Sequence, residues 1–74
     1  MGENNTNTVF EKIYELGLAN KCNVGLSFLT SGNLYISVID NKTCNSDFTI
    51  INSDCAEELI IDVIKDTIRR AKEG

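Results

Sequence analysis

The sequence contains no histidine, no proline and no tryptophan, and only three cysteines. Without histidine the usual general base is missing, and with it the Ser-His-acid and Cys-His arrangements of nucleophilic catalysis. The commonest metal ligand is missing too. Cysteines 22, 44 and 55 are an odd set with no Cys-x-x-Cys pair, so neither a fully paired disulfide framework nor a zinc knuckle fits them. Free thiols in a reducing compartment are the simpler reading. Cys22 as a nucleophile would need a neighbouring base or cation, and only Lys21 is close in sequence. Positive charge is scarce, with 7 Lys and Arg against 11 Asp and Glu, a net charge of −4 and a pI of about 4.5. Such a chain repels a phosphate backbone at long range, which disfavours general DNA or RNA binding. No apolar run approaches the span of a bilayer. No apolar signal segment precedes the domain, so a cytoplasmic, non-membrane protein is expected. Gly25 and Gly32 are isolated and form no phosphate loop, and Asp40, Asp47 and Asp54 are spaced too widely for a calcium loop. Together these absences predict a protein with no metal, no cofactor and no enzymatic activity.

What remains is one small domain. A chain of 74 residues holds a single core, and domains of this size are marginal alone. With disulfides and metals set aside, self-association is the remaining supplement. Residues 1–7 are polar and Asn-rich and read as a disordered leader, leaving residues 8–74 as the domain. Thr8 and Glu11 have capping-box spacing, and apolar residues from Val9 to Leu18 recur at the helical period, with Phe10, Tyr14 and Leu18 widening the stripe. Gly17 or Asn20 can end this helix, placed at 8–19. The period then changes to two. Val24, Leu26 and Phe28 alternate with small residues, Thr30–Asn33 reads as a hairpin turn, and Leu34, Ile36 and Val38 form a second strand. Asp40-Asn41-Lys42 marks another turn, and Phe48 to Ile51 a third strand. Asp54 with Glu57 fits a second capping box, followed by a helix whose acids lie first and whose bases lie last. The expected fold class is α+β: helix, three-stranded antiparallel meander, helix (αβββα), with both helices packed on one sheet face.

Assigning strand faces leaves a surplus of apolar residues. If Val24, Leu26, Phe28, Leu34, Ile36, Val38, Phe48 and Ile50 face the helices, the opposite side carries Leu29, Tyr35, Ile39 and Ile51, and Ile61 lies off the main stripe of the second helix. A solvated sheet face normally reads polar at alternate positions. These five residues are therefore the expected interface, with a homodimer or higher oligomer as its simplest product. The competing arrangement, one helix on each face, would make the same residues ordinary core.

Concentrated positive charge occurs only at Lys65, Arg69, Arg70 and Lys72. Arginine forks suit phosphates, so Lys65, Arg69 and Arg70 are candidate contacts for an anionic nucleotide, with Tyr35 or Tyr14 stacking on its base. The plainer reading is that the cluster complements the carboxyl end of its helix. The acids of that helix, with Asp62 and Asp66, could instead form a carboxylate stripe or simply a solvated face.

An acidic, Asn/Ile/Lys-flavoured short chain built around Ser31-Gly32-Asn33-Leu34-Tyr35-Ile36-Ser37-Val38-Ile39-Asp40 resembles the small early counter-defence proteins of tailed bacteriophages. The resemblance implies a cytoplasmic protein of an infected host cell, either a homo-oligomeric sponge for a nucleotide signal or an anti-CRISPR-like inhibitor or adaptor that covers a host defence protein. A structural subunit of an assembly is a third possibility.

Overall fold

A computed structural model describes residues 8–74; the leader lies outside the described residues, as does the Thr8 side chain of the first capping box. Helix α1 spans Thr8–Asn20, strands β1, β2 and β3 span Cys22–Phe28, Asn33–Asp40 and Ser46–Asn52, and helix α2 spans Glu57–Glu73. The strands form one antiparallel sheet in the order β1-β2-β3. Both helices pack on one face, α1 against β1 and α2 against β2 and β3.

Helix α1 runs past Gly17, and Lys21 takes the left-handed conformation that ends it (φ 57°). Asn20 helps by donating its Nδ2 to the carbonyl of Leu16 at 2.9 Å. Gly17 serves close approach instead of termination. A Cβ there would lie 2.9 Å from the Cys22 carbonyl oxygen, so the helix can rest on the strand only because no side chain intervenes. The first hairpin turns at Leu29–Gly32, with the Gly32 amide donating to the Leu29 carbonyl at 3.0 Å. Within this turn only Gly32 has positive φ (93°), while Asn33 already belongs to β2. Leu29 therefore lies outside the strand.

Helix α2 begins without the expected capping box. Its N-cap is Ala56, with no side-chain hydrogen bond. The Asp54 amide is instead taken by the Asn52 side chain at 2.8 Å, which draws Asp54 into the preceding turn. Glu57 and Glu58 still complement the positive end of the helix dipole.

The core is one layer between sheet and helices. Leu34, Ile36 and Val38 from β2 meet Ile64, Ile68 and Ala71 from α2, with Ile13 and Cys22 at the α1 side. Strand β3 departs from the expected facing. Its register pairs Leu34 with Ile51, Ile36 with Thr49 and Val38 with Asp47, so Asp47, Thr49 and Ile51 face the helices. Phe48 and Ile50 face away. Both parities of this strand carry apolar residues, so alternation alone does not choose a face. Polar partners choose it: Thr49 shares a 2.8 Å hydrogen bond with buried Thr67, and Arg70 reaches Asp47 at 3.4 Å. Thr67 also donates to the Val63 carbonyl at 2.7 Å.

Candidate binding surface

The side of the sheet that no described helix covers is the candidate site. The alternation that sends Leu34, Ile36 and Val38 inward sends Tyr35, Ser37 and Ile39 outward, beside Gly25 and Ser27 of β1 and Phe48 and Ile50 of β3. None of the side chains at these outward positions, from Asn23 to Asn52, is charged, in a chain of which 24% is charged. Phe48 is 52% exposed, Ile50 48% and Ile39 44%, which is a large apolar exposure for one small face.

The face is lopsided. Tyr35 is paired with Ile50, and its ring stacks on that of Phe48 with centroids 5.5 Å apart, a diagonal cross-strand contact. With Ile39 these residues raise a ridge along β2 and β3. Beside it Gly25 faces Ser37 and Ser27 faces Tyr35, which leaves a trough of small residues along β1. A ridge next to a trough is a shape that can complement its own image.

The five expected interface residues separate on this frame. Tyr35 and Ile39 lie on the open face as expected. Ile51 does not, because the β3 register turns it toward the helices, where it packs against the core. Ile61 also packs against the core and lines a crevice with Val9 and Lys12 of α1, so it belongs to the helix layer. Leu29 lies in the first turn, at the end of the sheet. Phe48 and Ile50, assigned inward from the sequence, take the places of Ile51 and Ile61.

The five candidate ligand contacts are not gathered into one pocket. Lys65 and Arg69 line a shallow groove between α2 and the end of α1, together with Asn20 and Lys72. Arg70 lies on another side of α2, where it hydrogen-bonds Thr49 and lies 3.4 Å from Asp47. Its Nε is buried and lies 3.1 Å from Asp66 without the alignment of a hydrogen bond. Tyr14 points outward from α1 and Tyr35 lies on the open face of the sheet. The cations are also occupied. Arg69 bridges Asp66 and Glu73, and its hydrogen bond with Asp66 lowers that carboxyl's pKa while raising its own. Lys65 alone of the four has no carboxylate within 4 Å among the described residues.

Lys72 closes a polar cluster around Asp40, a residue that the sequence pattern assigns to a turn. Asp40 is buried beneath it; its carboxylate accepts from Thr43 Oγ1 at 2.8 Å and Lys72 Nζ at 3.1 Å. These bonds, Thr43 first, pull its pKa below the ordinary value despite the opposing effect of burial. The Cys22 thiol lies 3.8 Å from the same carboxylate, and burial raises its pKa, so it stays protonated and unreactive at neutral pH. The depressed pKa of Asp40 gives a signed prediction. Its contribution to stability is complete above the unfolded value of about 3.9 and is lost as pH falls through the lower folded value. Asp40→Asn should therefore unfold at lower urea than the parent at neutral pH, and the gap should close in acid. A gap that is unchanged or wider in acid would refute the assignment.

Cys44 is exposed, and Cys55 half-buried, in separate turns, and no described helix is long and apolar enough to cross a membrane. No protein-family model matches this chain, and neither a curated protein nor a solved structure matches it.

Proposed function

We propose that this chain is a non-enzymatic binding protein that works as a homodimer, with two sheets stacked open face to open face. The observation that carries the reading is the charge-free face bearing Tyr35, Ile39, Phe48 and Ile50. Two copies of net charge −4 repel elsewhere but can meet there without desolvating a charged group. A twofold axis lying between the two sheets and parallel to their strands sets the β3 side of each ridge over the trough of the other copy, so that Phe48 covers Gly25.

Area supports the same reading. Three strands about 4.8 Å apart and about 23 Å long present a footprint of roughly 330 Å². Side-chain relief enlarges the accessible surface, so two such faces remove on the order of 1,000 Å², the lower bound for a specific interface. A small domain with a single core is only marginally stable, and such a partner adds to that stability by mass action.

Of the two functions implied by the phage-protein resemblance, the paired cations favour binding another protein, through a surface other than the stacked face, over sequestering an anionic nucleotide. Arg69, Arg70 and Lys72 already hold carboxylates, and a phosphate would have to displace them. Light scattering tests the assembly: the expected mass is twice 8.2 kDa at micromolar concentration. A sole species of 8.2 kDa up to about 100 μM would overturn the homodimer and leave the face to an unrelated partner.

A further inference from the structure

A second surface lies at the other margin of the molecule, and it is independent of the stacking proposed above. In β1 the bond from the Leu29 amide to the Asn33 carbonyl fixes the parity of the ladder: Asn23, Gly25 and Ser27 bond to β2. The amides and carbonyls of Val24, Leu26 and Phe28 therefore point away from the sheet, and among the described residues no other strand lies beyond them. Natural edges are usually guarded by charge, proline or a bulge. β1 reads Cys-Asn-Val-Gly-Leu-Ser-Phe and has no charge or proline, and its pairing with β2 runs without a bulge.

Helix α1 overhangs this edge. Gly17 rests against the Cys22 carbonyl, one of the outward-pointing groups. Phe10, Tyr14 and Leu18, spaced four apart, form a stripe facing away from the core; Tyr14 is 68% exposed and Leu18 60%. The sequence pattern had merged this stripe with the core face of α1. Stripe and edge together bound a groove of about 330 Å³ that also includes Ile13, Asn23 and Val24. None of the described residues lining it is charged.

We infer that this groove binds an extended segment of a partner protein, which adds to β1 as a fourth strand beneath α1. The row of unpaired backbone groups calls for another strand backbone, and the apolar stripe above calls for apolar side chains at alternate positions. A second copy of the chain does not fit. Packed helices need about 8–10 Å between axes and adjacent strands only about 4.8 Å. Since α1 already overhangs β1, a copy joined at this edge would bring its own α1 into the same space. A segment with no helix above it meets no such obstacle. The partner segment is basic, because Glu11 stands exposed beside the stripe and the chain as a whole carries −4.

The test uses the full chain and capped heptapeptides that alternate valine with lysine. In a fourth strand antiparallel to β1, valines under α1 turn their amides toward β1, and lysines turn theirs to solvent. In the free protein the Val24, Leu26 and Phe28 amides should exchange with deuterium faster than those of Gly25 and Ser27. Added peptide should slow all three by about tenfold or more. N-methylation of the valine amides should weaken binding by about tenfold or more, and N-methylation of the lysine amides should leave it nearly unchanged. Leu18→Asp, at an exposed position, should weaken binding without altering the fold. Equal binding of the two methylated peptides would mean simple adsorption and would overturn the inference. So would no protection at about millimolar peptide, or protection of those amides in the free chain, which would mean that a copy occupies the edge. Light scattering reads the stacked dimer separately, so loss of either result leaves the other standing.

Discussion

Ile36→Ala should leave a large share of the chain unfolded at room temperature. Ile36 is completely buried at the middle of the central strand, between Leu26 of β1 and Thr49 of β3 and beneath α2. Shortening a buried isoleucine to alanine removes its transfer free energy and leaves a cavity, together about 2–5 kcal/mol. A single core in a chain this short rarely supplies more than about 3–5 kcal/mol in total. The two magnitudes are comparable, so the substitution consumes most of the stability and does not merely trim it. Ile64→Ala, equally buried on the facing helix, should behave alike. Leu59→Ala, at a position 47% exposed, should cost well under half as much. Urea titration followed by far-ultraviolet circular dichroism separates these cases. A midpoint for Ile36→Ala no lower than that of Leu59→Ala would mean that the layer between sheet and helices is not the core.

The elements of this fold were legible because their signals agree. Helical period, then alternation around Gly32, then helical period again leave little choice beyond αβββα. The facing of β3 was not legible, because Phe48, Ile50 and Ile51 put apolar residues on both parities. The choice is made by Thr49 and Asp47 finding Thr67 and Arg70 across the layer, and such polar pairs have no local pattern. Asp40 was legible in principle. The parity that turns Leu34, Ile36 and Val38 inward turns Asp40 inward as well, and only its turn-forming chemistry suggested otherwise. The outer stripe of α1 was hidden by the opposite problem. Phe10, Tyr14 and Leu18 continue the apolar arc of Val9, Ile13 and Leu16, and a helical wheel cannot say where the sheet stops. It stops at β1, and the arc continues past it. The cations at the end of α2 were visible, but their carboxylates on other elements, Asp40 and Asp47, were not.

Replacing both Phe48 and Ile50 with aspartate should convert the proposed dimer to monomer while leaving the fold intact. Within one chain the two side chains are about half exposed and contribute little to the core, so their loss alone should cost roughly 1 kcal/mol or less. Across a stacked interface the same change counts in both copies. It removes four apolar side chains, each worth about 1.5–3 kcal/mol when fully buried, and brings four carboxylates to a face that had no charge. With half of that burial realised, the loss is about 3–6 kcal/mol, or roughly two to four powers of ten in dissociation constant. Light scattering should then give 8.2 kDa where the parent gives twice that mass. Circular dichroism should keep its shape, and the melting temperature of the variant should cease to depend on concentration, because dimerisation no longer adds stability by mass action. A companion substitution locates the trough. Gly25→Arg places a long charged side chain where the partner's Tyr35–Phe48 ridge should sit, and it should abolish the dimer as fully as the double aspartate. If the double aspartate dissociates the dimer and Gly25→Arg does not, the open face is used but the ridge does not rest on β1. If the parent is dimeric and neither change affects it, the sheets are not stacked, and the dimer forms through another surface.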